Sequence, residues 1–193
     1  MTIEVLPATH ARFDDLATVL GPRRPESSVC WCLSYRIPSK ENRELTGVAR
    51  RDRVEALTRE RTPPGVLAYD DGEVVGWCGV APRADLHSFA NSRRIPHVDD
   101  LPVWTIWCFR VRGGLRGRGI ATALLDGAVA HARACGAPAV EGYPVANDGR
   151  KVDLTMAYVG TRGMFERAGF TKAADTQSVL DGFPRVLMRL DLR

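Results

Sequence analysis

The stretch VWTIWCFRVRGGLRGRGIAT, residues 103–122, decides how the rest of the chain is read. From Val103 to Val111 it is apolar at nearly every position. A strand with one face in water alternates, whereas a strand covered on both faces reads as a continuous apolar run, so this segment is a central strand. Glycines follow at 113, 114, 117 and 119, and then Ile120, Leu124, Leu125 and Ala128 recur at helical spacing. The first amides of a helix have no partner inside it and lie at the positive end of its dipole. Glycine lets the backbone close on an anion there. The turn is suited to a phosphate or pyrophosphate, with a plain tight turn as the alternative reading.

Two phosphate-binding patterns can be weighed against it. A P-loop requires Gly-Lys-Ser/Thr, and this segment has no Lys. A dinucleotide fingerprint is approached by Gly117-x-Gly119-x-x-Thr122, with Glu141 near the place of a ribose-binding acid. The remaining segments do not supply the parallel βαβ series that such a fold needs.

Working outward, Ile3–Leu6 alternates as a strand, and Thr9 stands before a helix that runs to about Leu20 and stops at Gly21-Pro22. Residues 22–45 are the least regular and carry Cys30-Trp31-Cys32-Leu33-Ser34-Tyr35-Arg36. A helix is expected from about Thr46 to Arg61, ended by Pro63-Pro64-Gly65. Val66–Tyr69 and Val74–Val80 flank Asp70-Asp71-Gly72 as a hairpin. Residues 83–102 read as a short helix and a loop. Beyond the central helix, expected over Gly119–Cys135, come a strand over Ala139–Val145, a polar loop, a helix from about Tyr158 to Ala168 and two closing strands. Strands and helices in this order pack as an α/β (α+β) domain, a mixed sheet with helices on both faces.

At 193 residues, with 45% hydrophobic and 26% charged residues, the chain suits one globular domain over 1–193. No apolar run approaches the roughly 18–20 residues of a membrane span. The first residues have neither a basic segment nor an apolar core of a secretory signal. The net charge of +4 is scattered, unlike the dense basic face of a nucleic-acid binder. Only Lys40, Lys151 and Lys172 are lysines, so the basic character is nearly all arginine. Cys30, Cys32, Cys78, Cys108 and Cys135 are odd in number and irregular in spacing, which is no disulfide framework. The Cys-Trp-Cys triplet lacks the second ligand pair of a zinc site. No metal is expected, and reduced thiols in the cytoplasm are. No membrane or nucleic-acid partner is expected, and a homodimer is compatible with the sequence.

The segment Arg116-Gly117-Arg118-Gly119-Ile120-Ala121 resembles motif A of the GNAT superfamily of acyl-CoA N-acyltransferases, Gln/Arg-x-x-Gly-x-Gly/Ala. Met164-Phe165-Glu166-Arg167-Ala168-Gly169-Phe170 resembles the Leu-Tyr-Glu-Lys-Leu-Gly-Phe ending of that family's last core helix. The two motifs stand in the family's order, and the resemblance covers nearly the whole chain. Its Cys-Trp-Cys segment and its Glu141-Gly-Tyr-Pro-Val strand are also similar to a bacterial subgroup of the family. The resemblance implies a mostly antiparallel sheet of six to seven strands, splayed between the fourth and fifth. It implies acetyl-CoA as cosubstrate, with the amides of Arg116, Gly117, Arg118, Gly119, Ile120 and Ala121 around the pyrophosphate and the Thr122 hydroxyl beside them. Val111 would pair its backbone with pantetheine, and Phe109 would lie next to it. A fourth-strand amide would stabilise the oxyanion of the attacked thioester.

Direct attack of an amine needs a base, and an acid can assist the leaving thiolate. The family's usual Tyr is Phe165 here, and the carboxylate that some relatives carry in the fourth strand is Thr105. Glu141 is the candidate base or acceptor-orienting group, because it lies in the fifth strand beside the expected splay. Tyr143 shares its face by alternation and is the candidate acid. An exposed strand charge is the plainer reading of Glu141. Asp99 and Asp100 are candidates for an amine-binding pair or for a simple turn. Cys108, between Trp107 and Phe109, reads as a packed thiol and not as a nucleophile. Trp31, Tyr35 and Trp104 are candidate pocket walls or core. The leading expectation is acetylation of a primary amine on a small molecule. A protein or peptide acetyltransferase and a catalytically degenerate CoA sensor are the alternatives.

Overall fold

A computed structural model describes residues 2–24, 27–153 and 157–193. Seven strands form one sheet: β1 (Ile3–Pro7), β2 (Gly65–Asp70), β3 (Glu73–Pro82), β4 (Trp104–Val111), β5 (Ala139–Gly142), β6 (Thr171–Leu180) and β7 (Phe183–Asp191). Their spatial order is β1-β2-β3-β4-β5-β7-β6. The β4–β5 pair is parallel and every other pair is antiparallel. This is the mixed, mostly antiparallel sheet expected.

The expected hairpin is present. Asp71 and Gly72 both take positive φ between β2 and β3, as a two-residue turn matched to strand twist requires. The helices are α1 (Phe13–Leu20), α2 (Ser39–Glu44), α3 (Gly47–Thr58), α4 (His87–Ala90), α5 (Ile120–Ala134) and α6 (Arg162–Arg167). Helix α5 lays Ile120, Leu124, Leu125 and Ala128 against Val66, Val75, Cys78, Val80 and Ile106 on one face of the sheet. Helices α1 and α3 cover the other face through Phe13, Leu16, Leu20, Val54 and Leu57, packed on Leu67, Val74 and Trp77.

Several boundaries differ from the sequence reading. Residues His10–Arg12 form a 3-10 turn, so α1 begins at Phe13, and the Thr9 hydroxyl accepts from Arg12 Nη1 instead of capping the helix. Helix α2 was not anticipated, since Ser39–Glu44 has no buried residue to give it a hydrophobic period. Strand β5 ends at Gly142, not Val145, because Pro144 has no N–H to extend the ladder. The last helix is only Arg162–Arg167. Ala157–Val159 is a separate 3-10 turn, and Gly160 at φ +78° breaks the chain between them.

Candidate active site

The parallel pairing of β4 with β5 lasts three residues: Trp104 with Val140, Thr105 with Glu141, and Ile106 with Gly142. On its other edge β4 carries on to Val111, paired with Gly76 of β3. A bulge opposite Gly79 and Val80 inserts Trp107 and turns both Trp107 and Cys108 to the α1/α3 side. From Trp107 to Val111, therefore, the β5-facing edge has no strand partner among the described residues. Past its end, β5 is met instead by the segment before α6: Val145 N–H donates to the Gly160 carbonyl at 3.1 Å and Arg162 N–H donates to the Val145 carbonyl at 2.8 Å. The ring of Phe165 lies over Gly142, where a Cβ would stand 2.2 Å from Cε1. Phe109 meets the same ring edge-on at 6.2 Å. Phe109 and Phe165 thus meet near the parting of the two strands, and Val111 lies further along β4.

The glycine-rich turn begins where β4 ends. Arg112 anchors it, its N–H on the Val75 carbonyl at 3.0 Å and its Nη1 on the Val74 carbonyl at 2.9 Å. Gly114, Gly117 and Gly119 take φ near +80°, the left-handed region that side chains other than glycine enter at a cost. The backbone amides of Gly119, Ile120 and Ala121 meet no carbonyl among the described residues. Arg116, Gly117, Arg118, Gly119 and Thr122 are exposed around them, and a Cβ at Gly117 or Gly119 would meet nothing within 4 Å. Free donors at a positive helix end, on glycines with open space before them, fit a pyrophosphate. A cleft of ≈ 420 Å³ lies between Asn147–Gly149 and α6, lined also by Thr161, Arg162 and Arg167.

Glu141 and Tyr143 are both buried on the α1/α3 face, within a polar cluster. Arg83 Nη1 donates to Glu141 Oε2 at 3.0 Å, and the Tyr143 hydroxyl donates to the same oxygen at 3.0 Å. Arg189 Nη1 lies 3.6 Å from Glu141 Oε1 and 2.8 Å from Asp99. Burial pushes the Glu141 carboxyl above its ordinary range, although Arg83, the Tyr143 hydroxyl and Arg189 pull the other way. The Tyr143 phenol is also raised, by burial and then by the Glu141 charge. Asp99 is taken up by Arg189 and by a turn, its Oδ1 accepting the Leu101 N–H. Arg83 Nη2 reaches the Pro96 carbonyl at 3.2 Å, so the cluster fastens residues 83–102 over the sheet.

That segment brings in Phe89, stacked between Tyr35 at 4.8 Å and Tyr143 at 4.7 Å. Of the three candidate pocket aromatics, Trp31 packs on Phe13 in the core. Trp104 lies on the opposite face, edge-on to His131. Only Tyr35 reaches the opening. Its hydroxyl lies 3.2 Å from that of Tyr158, which the sequence reading placed at a helix start and gave no role. Tyr158 sits in the 3-10 turn Ala157–Val159, which packs against β4. Burial, and then Tyr35, raise the Tyr158 phenol well above its ordinary value. The sequence signal for Tyr158 was slight: an aromatic two helical turns before Phe165, behind a glycine.

A parted parallel strand pair beside a helix-end anion site defines an acyl-CoA-dependent transferase. The acetyltransferase (GNAT) family model matches residues 31–170, and the chain belongs to that family. It is an N-acetyltransferase, in a family that uses acetyl-CoA. Among solved structures, the chain is similar to histone acetyltransferase HPA2 and related acetyltransferase from Corynebacterium glutamicum, at 20% identity and TM-score 0.57 over 98% of this chain and 96% of that one. It is similar to the polyamine N-acetyltransferase of Drosophila melanogaster at 13% identity and TM-score 0.53, over 99% and 100%. It is also similar to yncA of Salmonella typhimurium, solved with its cofactor acetyl-CoA, at 15% identity and TM-score 0.50 over 100% and 95%. A comparison with curated proteins finds no match. The fold is common to all three neighbours.

Proposed function

We propose that residues 1–193 act as one cytoplasmic domain that acetylates the primary amine of a small molecule, by direct attack on acetyl-CoA. The observation that carries this reading is the roof over the parted strands. Residues 27–45 and 83–102 lie across the sheet face beside β4, locked by the Tyr35–Phe89–Tyr143 stack and the Arg83–Glu141 pair. Such an entrance, half-closed by Tyr35 and Tyr158, suits a compact amine better than an extended peptide.

In this reading the amides from Arg116 to Ala121 hold the pyrophosphate, and Thr122 adds its hydroxyl. The unpaired edge of β4 up to Val111 holds the pantetheine arm beside Phe109. The cleft between Asn147 and α6 takes a further part of the cosubstrate. The amine nitrogen attacks the thioester carbonyl while a β4 amide past Ile106 steadies the oxyanion. Tyr158, protonated at neutral pH, gives its proton to the departing thiolate, and the proton shed by the attacking nitrogen passes through water and restores the phenol. Glu141 and Tyr143, enclosed behind Phe89, serve as positioning residues that set the roof and hence the acceptor.

The test is a panel of small amines and peptide N-termini, each incubated with protein and acetyl-CoA and followed by CoA release and product mass. Turnover of one or more small amines is expected. Turnover of peptides alone would replace the small-molecule reading, and acetyl-CoA binding without any turnover would make the chain a sensor.

A further inference from the structure

Cys32 and Cys108 stand 76 positions apart in the sequence, yet their Sγ atoms are 3.1 Å apart. Three independent features bring them together. Trp31 and Cys32 both adopt left-handed backbone, at φ 49° and 56°, which costs free energy for residues other than glycine and persists only where the surroundings enforce it. The Trp107 indole N–H donates to the Cys32 carbonyl at 3.3 Å, pinning this kink to β4. The bulge at Trp107 turns Cys108 to the same side. Both residues are partly exposed, whereas Cys78 is buried. The pair also occupies a decisive place: Cys32 belongs to the roof segment, and Cys108 lies on the stretch of β4 that has parted from β5.

We propose that Cys32 and Cys108 are a redox modification site: a low-molecular-weight disulfide such as oxidised glutathione converts them to an intramolecular disulfide that clamps the roof to β4 and shuts the acceptor entrance. The effect on turnover rests on the function proposed above, but formation of the bridge does not. One sulfur, as thiolate, attacks the external disulfide, forms a mixed disulfide and releases one small thiol. The other then attacks the mixed disulfide, forming the Cys32–Cys108 bond and releasing the second small thiol. Two protein thiols are oxidised, one external disulfide is reduced to two thiols, and the protons pass to the departing thiolates. From 3.1 Å, reaching the roughly 2.05 Å of a disulfide asks for an approach of only about 1 Å.

The experiment treats the full chain with oxidised glutathione, alkylates the remaining thiols, and reads intact mass, the cross-linked peptides, acetyl-CoA affinity and acetyl transfer. The expected result is a loss of about two mass units, the two thiol hydrogens, with a peptide joining positions 32 and 108. Dithiothreitol should reverse it. Acetyl transfer should fall at least about tenfold on oxidation and return on reduction, with acetyl-CoA affinity held, since the clamp is on the acceptor side. Cys32→Ala, whatever its basal turnover, should show the same rate before and after oxidised glutathione. Cys108→Ser, read by mass alone, checks the same bridge from the other side. Failure of every acceptor would strike the function while leaving the mass result intact. No bridge, a bridge between other cysteines, or a bridged chain with undiminished transfer would overturn this proposal.

Discussion

Arg83 and Glu141 form an ion pair at 3.0 Å with both side chains almost wholly out of water. A buried charge left without its partner costs about 3–5 kcal/mol, more than an exposed pair ever supplies. Glu141→Gln should therefore lower the melting temperature clearly, and acetyl-CoA affinity should hold because the anion site is elsewhere. If the carboxylate positions the roof, the acceptor KM should rise and the acidic limb of the kcat profile should remain. A flattened acidic limb, with turnover down by about 10²–10⁴-fold, would make Glu141 the base instead.

The same pair permits a sharper test. Replacing both members of a buried ion pair with apolar residues is often neutral or stabilising, because two desolvation costs vanish together. Arg83→Met combined with Glu141→Leu should recover most of the stability that either single change loses. Acceptor KM should stay high, since Arg83 no longer holds the Pro96 carbonyl. Denaturant melts and steady-state kinetics on the three variants measure both. Equal loss of stability in the double variant and the singles would mean that the pair is not coupled.

Gly119 offers a test of the cosubstrate site. Its φ of +79° is a conformation that Asp tolerates better than most residues, and a Cβ there meets no neighbour within 4 Å. Gly119→Asp should fold, with a small loss of stability. A carboxylate would then occupy the space before the free amides of Ile120 and Ala121. Calorimetric titration should show acetyl-CoA affinity reduced at least about a hundredfold, from lost amide contacts and charge repulsion together. Unchanged affinity in the folded variant would remove the anion site from this turn.

His131 lies on α5 with its ring edge-on to Trp104 at 5.6 Å, and burial lowers its pKa below the ordinary value. The unfolded chain takes up this proton near pH 6.5, while the folded chain resists it. Between those two values the unfolded state binds more protons, so stability falls as pH falls. The contribution is fully present above about pH 6.5 and is lost through the depressed value. His131→Phe keeps the apolar contact and removes the titration. Its melting temperature should drop less than that of the wild type between pH 7.5 and pH 5, and parallel curves would show that His131 does not couple to folding.

The cosubstrate half of the site was legible because it is local. A continuous apolar strand, clustered glycines and a helical period lie within the single stretch 103–128, and each acts on its neighbours. The acceptor half was not, because it is built from distant pieces. Glu141 could be seen as a carboxylate in a strand, but its cationic partners Arg83 and Arg189 come from two distant segments, the stretch 83–102 and β7. The bulge that turns Cys108 outward is set by register against Gly79 and Val80, which no local pattern reveals. Tyr158 was hidden for a related reason: the break at Gly160 separates it from α6, although its spacing to Phe165 is helical.

Tyr158 replaces, in the site proposed here, the phenol missing at Phe165. Its hydroxyl lies 3.2 Å from that of Tyr35, beside the edge of β4 that β5 has left. Burial and the neighbouring phenol both hold its proton on, so it stands protonated through the neutral range. Tyr158→Phe removes only that oxygen and should leave the fold and acetyl-CoA affinity unchanged. If the phenol supplies the proton to the leaving thiolate, turnover should fall by about 10²–10³-fold, the scale of a lost general acid. The loss should be smaller for an acyl donor whose thiol is more acidic, because such a thiolate leaves without help. Tyr35→Phe should cost much less, since it disturbs the orientation of Tyr158 but not its proton. Single-turnover kinetics with the two donors separates chemistry from binding. An equal loss with both donors would assign Tyr158 to acceptor binding, and wild-type rates would return the proton to solvent water.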